Sequence, residues 1–299
     1  MRRFININGR KIECFIKGNG KKTILIMPGM GSGFHHWLDI INEVSKIATV
    51  IVVHRAGVGN SELHSNRSNT KIAAMDAYSI INDLSIEGKI ILVGHSYGGA
   101  CVQHFARLYP EKVESMLLVE SASIYGGKQF DKLELPVSNK TGSDKVYLNL
   151  WTRYSKYTKD QLRDEIKPKL AGKQLNLPKD IQKEILEFDI RPQIYENQLS
   201  ELVDIRENII NMKNDGEFPN VFTVILKRDS NYSINEMIKE GIPKLEAEQI
   251  EALWGSLVDG LKNLSNKSEL KVIENSNHCI NETRPDVIIT EIKKLIECN

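Results

Sequence analysis

The feature that most constrains this chain is a series of short apolar runs separated by amphipathic stretches. The runs are "TILIM" from Thr23, "TVIVV" from Thr49, "IILV" from Ile90 and "MLLV" from Met116. Their brevity and their richness in Ile, Val and Leu suit strands of a parallel sheet covered on both faces. Between them, residues 70–86 put Ala74, Ala77, Ile81 and Leu84 on one helical face. Residues 98–108 do the same with Cys101, Phe105 and Leu108, and Pro110 closes that helix. Strands alternating with helices imply right-handed crossovers and a doubly wound, mostly parallel α/β sheet. Upstream, residues 4–7 and 11–16 alternate around Asn8-Gly9, which predicts an N-terminal β-hairpin.

The alternation breaks after Val119. Residues 123–215 carry no strand pattern and are dominated by charged, helix-forming sequence such as "DQLRDEIKPKL" and "PKDIQKEILEF". Strand character returns in "VFTVIL" from Val221 and "LKVI" from Leu270. A last helix starts near Pro285, with the stripe Ile288, Ile292, Leu295 and Ile296. This predicts a core of residues 1–122 and 216–299 interrupted by a helical cap of residues 123–215. Tyr147, Trp151, Tyr154 and Tyr195 are dotted through that cap. They form either its own small core or the lining of an apolar acyl pocket.

Composition removes several classes of function. The 299 residues carry 40 basic and 39 acidic side chains, a net charge of +1, and the charges are scattered. A nucleic-acid partner would require a clustered basic patch. No run approaches the roughly 20 apolar residues of a membrane span. Met1-Arg2-Arg3 is followed by the alternating "FININGRKIECFIKG" and not by the apolar core of a signal peptide, so a cytoplasmic location is expected. Cys14, Cys101, Cys279 and Cys298 lie far apart, which predicts free thiols. His35 and His36 are adjacent, but neighbouring helical side chains diverge by about 100°, and no metal site is expected. Gly29, Gly31 and Gly33 do not make a dinucleotide loop: Phe34 stands where a further glycine is needed, and "VVHRAG" offers no acid at the end of the next strand. No cofactor is expected, and nothing in the pattern sets an oligomeric state.

Chemistry concentrates at Gly94-His95-Ser96-Tyr97-Gly98, between the run 90–93 and a helix. So sharp a corner needs small neighbours at Gly94 and Gly98, and it holds Ser96 out in strained backbone at a helix N-terminus. A serine nucleophile needs a base. His104 lies along the helix that Ser96 starts, about 12 Å away by helical rise. His278 follows the run "LKVI" at the carboxyl end of a strand and is the candidate base. The base needs an orienting carboxylate. Asp229 ends "VFTVILKRD", and Glu120 ends "MLLVE" in the same way; both are candidates, and the family resemblance named below, with its order of nucleophile, acid and base, implies Asp229, with Glu120 as the alternative. Two N–H donors for an oxyanion are expected from the backbones of Tyr97 and Met30, the latter in the turn "MPGMGSG".

With these residues in view, the whole chain resembles the α/β-hydrolase superfamily in its cap-bearing, serine-nucleophile branch. The resemblance rests on Pro28-Gly29 with Trp37 downstream, Gly57-Val58-Gly59-Asn60-Ser61, Gly94-His95-Ser96-Tyr97-Gly98-Gly99, and His278 followed by Pro285. It implies hydrolysis of an ester or another small acyl compound by Ser96, His278 and Asp229, with no cofactor. The alternative is a ligand-binding or signalling protein that keeps the fold with little turnover. Three positions depart from the family pattern. Pro28 replaces the frequent His of the oxyanion turn, and His54 stands where Asp often precedes the glycine motif. Leu226-Lys227-Arg228-Asp229 replaces a Gly-x-x-Asp turn. The stretch 233–264 also lengthens the gap between Asp229 and His278 with helical sequence.

Overall fold

A computed structural model describes residues 1–124, 129–203 and 205–297. Strands β1 (Arg2–Ile7) and β2 (Arg10–Lys17) form the expected antiparallel hairpin. Its two turn residues, Asn8 and Gly9, have φ of 52° and 84°, and the Asn6 side chain accepts from the Gly9 N–H at 2.8 Å. Two consecutive left-handed residues give the turn the twist that matches the strands.

The chain then alternates: β3 (Thr23–Met27), α1 (Leu38–Val44), β4 (Thr49–Val53), α2 (Thr70–Asp83), β5 (Ile90–His95), α3 (Tyr97–Leu108) and β6 (Val113–Val119). From there to residue 221 the described residues hold helices and no strand. They are α4 (Ser138–Thr141), α5 (Asp144–Tyr154), α6 (Lys159–Ile166), α7 (Lys179–Phe188), α8 (Pro192–Val203) and α9 (Ile205–Asn211), with single 3-10 turns between. The sheet resumes with β7 (Phe222–Arg228). Then come α10 (Ser230–Lys239), α11 (Lys244–Gly260), β8 (Ser268–Ile273), α12 (Ile280–Thr283) and α13 (Pro285–Glu297). The eight strands lie in the order β1-β2-β4-β3-β5-β6-β7-β8, antiparallel across β1, β2 and β4 and parallel beyond.

Period-two alternation sorts each buried strand between two cores. Leu25, Met27, Ile51, Val53, Leu92 and Leu118 face α2 and α3, where Ala74, Ala77, Cys101 and Phe105 pack. Ile24, Ile26, Val50, Val52, Val93 and Val119 face the other side, against Trp37, Ile40, Ile288 and Ile292. Helices on both faces explain why the strands read as continuous apolar runs. Cys14, Cys101 and Cys279 are free thiols. Cys298 lies outside the described residues.

The helical insertion between β6 and β7 sits over the loops that follow β3 and β4. Phe188 of α7 meets the rings of His35 and His54 with centroids 4.7 and 6.0 Å apart. Glu201 of α8 pairs with Arg55, and Glu184 of α7 with Arg2. The insertion has a small core of its own, in which Leu162, Phe188, Ile190, Ile194 and Tyr195 are buried with Val58.

Candidate active site

The candidate residues lie in loops at the carboxyl ends of the parallel strands β5, β6, β7 and β8, beside the turn that follows β3. Ser96 follows β5 and precedes α3, with φ 52° and ψ −122°. That region is costly for a residue with a Cβ, by about 1–3 kcal/mol, and it persists only where the surroundings enforce it. Here packing enforces it. A Cβ at Gly98 would stand 2.1 Å from the Met27 carbonyl oxygen and 2.4 Å from that of Pro28. The elbow can therefore press against the end of β3 only because residue 98 has no side chain. The Ser96 N–H donates to the Val119 carbonyl at 3.1 Å, and the Ser96 carbonyl accepts from Ala122 at 3.0 Å, fastening the corner to the end of β6.

A second strained residue stands one strand over. Register pairs His95 with Val119, so Ser96 and Glu120 are the next residues along neighbouring strands. Glu120 has φ 44° and is fully buried. Its Oε2 lies 3.4 Å from His278 Nδ1 and accepts from Trp254 Nε1 at 2.7 Å; its Oε1 accepts from the Arg228 N–H at 2.7 Å. The Arg228 guanidinium stands 3.7 Å away. Burial pushes this carboxyl up, but the hydrogen bond with His278 and the charge and N–H of Arg228 outweigh burial and hold it below its ordinary value.

Asp229, the preferred acid on sequence grounds, is placed otherwise. Strand β7 runs on to Arg228, which pairs with Ile273, so Asp229 arrives at the first turn of α10. There its carboxylate caps the helix, accepting from the N–H groups of Asn231 and Tyr232 at 3.0 and 3.1 Å, and from Asn275 at 3.1 Å. Helix starts leave such donors without partners, and a carboxylate at this position satisfies them. The alternative, Glu120, is the carboxylate that faces His278.

His278 lies in the loop after β8, its side chain 36% exposed. Its carbonyl accepts from His95 Nε2 at 2.9 Å, which ties this loop to the residue before Ser96. Burial drives the His95 imidazole down to about 3, so it stays neutral and can donate from Nε2. The Trp254 ring stands edge-on to His278, with centroids 5.3 Å apart.

The turn after β3 flanks the elbow: a Cβ on Gly29 would lie 3.4 Å from Ser96 Cβ. Met30 is half-buried in that turn, and Tyr97 is buried at the start of α3. Arg55 was not anticipated as part of this neighbourhood. Its guanidinium, 4% exposed as a residue, donates to the Pro28 carbonyl at 2.6 Å and the Gly29 carbonyl at 3.1 Å. Trp254, Arg228 and His95 were equally unforeseen. The one hint was the surplus helical sequence before His278, which becomes α10 and α11 and delivers Trp254.

The aromatic residues of the insertion pack on one another. Tyr147 stacks on Trp151 with centroids 5.3 Å apart, and Tyr154 meets Tyr195 edge-on at 5.0 Å. The Tyr195 hydroxyl donates to the Asp189 carbonyl at 2.6 Å. Tyr195 is buried in the small core of the insertion, and Trp151 and Tyr154 pack against it. Among the described residues, no cluster of His, Cys, Asp and Glu has the makings of a metal site, and no helix is long and apolar enough to cross a membrane.

Comparison with known proteins bears on the fold and the family. Among curated proteins, 128 residues are 27% identical to putative methylesterase 12, chloroplastic, of Arabidopsis thaliana, covering 41% of this chain and 36% of that protein. Over 118 residues the chain is 28% identical to the dihydrolipoyllysine-residue acetyltransferase component of the acetoin cleaving system of Cupriavidus necator, covering 39% of this chain and 31% of that protein. The match thus spans about a third of the length of these relatives. Among solved structures, a thermophilic esterase from Thermogutta terrifontis superposes with a TM-score of 0.61 at 16% identity, covering 99% of this chain and 98% of that one. The epoxide hydrolase CorEH gives a TM-score of 0.66 at 16% identity, with 99% and 98% covered. At such identities these structures speak for the fold alone. A family profile described as the alpha/beta hydrolase fold matches residues 22–177, more than half of the chain. On that match, and with the strand order and elbow in place, the chain belongs to the α/β-hydrolase family.

Proposed function

We propose that the protein is a serine hydrolase that cleaves an ester or related small acyl substrate through an acyl-enzyme on Ser96. The observation that carries the reading is the pairing of a strained Ser96 elbow with a His278 imidazole 3.4 Å from the buried Glu120 carboxylate. In this reading Ser96 Oγ attacks the substrate carbonyl carbon while His278 Nε2 takes its proton. Glu120, not Asp229, holds Nδ1–H and balances the imidazolium. The N–H groups of Met30 and Tyr97 receive the oxyanion. Collapse expels the leaving group, which takes the proton from His278. Water, deprotonated by the same imidazole, then releases the acid and restores Ser96. The similarity to a putative methylesterase favours an ester substrate.

The test is labelling of the purified protein with a fluorophosphonate, followed by peptide mapping and an ester panel of increasing chain length. The expected label is on Ser96, and Ser96→Ala should abolish both label and turnover, a loss on the order of 10⁶ in kcat. An unlabelled, correctly folded protein would instead favour a ligand-binding role for the same fold.

A further inference from the structure

We propose that Arg55 and Glu201 form a positioning pair that makes the oxyanion turn depend on the seating of the helical insertion. The inference rests on the acyl-transfer reading above and names residues that this reading does not use. Arg55 stands just beyond β4, in the loop that carries the glycine motif. Its Nε and Nη2 donate to the two oxygens of Glu201, at 2.6 and 3.1 Å. Its Nη1 and Nη2 donate to the carbonyls of Pro28 and Gly29, at 2.6 and 3.1 Å. The guanidinium lies over the Tyr97 ring, 5.0 Å from its centroid. One buried cation thus touches the two carbonyls that precede the Met30 N–H, the ring of Tyr97 and the helix above them.

Peptide geometry gives this contact its consequence. In a trans peptide the C=O and the following N–H point in opposite directions. Drawing the Pro28 and Gly29 carbonyls toward Arg55 turns the N–H groups of Gly29 and Met30 away from it. The direction of the Met30 N–H is therefore set by a hydrogen bond on the far side of its own peptide plane. The fork of Arg55 can hold two carbonyls and a bidentate carboxylate at once, which the point charge of lysine cannot. The carboxylate is indispensable to the cation. Glu201 is 1% exposed, and a guanidinium buried beside it without a counter-charge would be strongly destabilising.

Glu201 comes from α8, one helical turn after Gln198. The Gln198 amide packs on the same turn, where a Cβ on Gly31 would lie 2.0 Å from its Nε2. Residues three apart share a helix face. So α8 presses on residues 28–31 at two points, and lifting it would withdraw the counter-charge from Arg55 and release the turn. Arg55 is a positioning residue: it acts through the turn and touches no reacting atom.

Two variants test this. Arg55→Lys keeps the charge and removes the fork. The double variant Arg55→Met with Glu201→Leu replaces a buried pair by apolar side chains of similar volume, a change that buried ion pairs often tolerate without loss of stability. Each is assayed on a short chromogenic ester for kcat and KM, and for affinity toward an alkyl boronate, whose adduct on serine is tetrahedral. The expected result is a roughly 10- to 100-fold fall in kcat and a parallel loss of boronate affinity, with KM little changed. A folded double variant with wild-type kcat and boronate affinity would overturn the proposal, and so would a rise in KM alone. If the double variant does not fold, Arg55→Lys decides by the same split. Failure of the acyl-transfer reading is separate and visible beforehand, as a wild-type protein that neither hydrolyses esters nor takes a fluorophosphonate.

Discussion

At Glu120 four contacts converge on one buried carboxylate: His278, the Trp254 indole, the Arg228 N–H and the Arg228 guanidinium. Burial alone would favour the neutral acid, yet these partners favour the anion, and the group is held below its ordinary value. An anion here steadies a protonated His278, which the proposed mechanism requires twice per turnover. Glu120→Gln should therefore lower kcat on a good ester by roughly 10⁴. Asp229→Ala should leave kcat near wild type and cost about 1 kcal/mol of stability, the worth of a helix cap. Both are read from steady-state kinetics beside urea denaturation. If the Asp229 variant collapses in kcat and the Glu120 variant does not, the acid belongs after β7.

Among the elements, the elbow between β5 and α3 and the pair α10–α11 do different work. The elbow is local: strand, Gly94, Ser96, Gly98 and helix follow one another within a few residues, and α3 starts at once. Its tolerance is set by backbone contact. Gly98→Ala would drive a Cβ to 2.1 Å from the Met27 carbonyl and 2.4 Å from the Pro28 carbonyl. Neither oxygen can move without shifting β3 or the turn that follows it. We expect a loss of about 1–3 kcal/mol, as for other overpacked sites, together with slower fluorophosphonate labelling of Ser96. Wild-type labelling and an unchanged denaturation midpoint would contradict this. Helices α10 and α11 act at a distance. Glu251 of α11 takes Arg228 at 2.6 Å, and Trp254 reaches Glu120, so the sequence between Asp229 and His278 becomes the support of the carboxylate.

Across the whole molecule, a chain of charged groups joins the insertion to the N-terminal hairpin. Arg191 pairs with Glu184 at 2.9 Å, Glu184 with Arg2 at 3.3 Å, and Arg2 with Glu13 at 3.8 Å. Glu13 in turn meets His54 Nδ1 at 2.8 Å, and His54 Nε2 accepts from the Phe34 N–H at 2.9 Å. Burial raises the Glu13 carboxyl, but His54 and Asn60 more than offset this and hold it at about 2, against an ordinary value of 4.5. A carboxyl with a depressed folded pKa binds its proton more readily when the chain is unfolded. Its stabilisation is therefore complete above pH 4.5 and drains away as pH falls toward about 2, an amount on the order of 3 kcal/mol. Glu13→Gln should be less stable than wild type at neutral pH, and the gap should narrow below pH 4.5. Denaturation midpoints measured from pH 7 to pH 3 check it; a gap constant with pH would remove Glu13 from the account.

The doubly wound sheet, the hairpin, the helical insertion and the serine elbow were legible in the sequence because each depends on neighbours within a few residues. Fully buried strands read as unbroken Ile and Val runs, Asn-Gly sets a turn, and two small residues bracket the serine of the elbow. Which carboxylate faces His278 was not legible. Asp229 and Glu120 both end apolar runs, and what separates them is the register of β6 against β7 and a tryptophan 134 positions from Glu120. The aromatic residues of the insertion have the composition of a pocket and of a core alike, and their mutual packing came only with the tertiary structure. Arg55 reads as one basic residue in a loop. Its meaning came from Glu201, 146 positions away, and from the two carbonyls it holds. Local pattern determined which elements form and where Ser96 stands. Only the tertiary structure decided which buried charges meet, because a charge buried by folding is stable only beside partners that other segments bring to it.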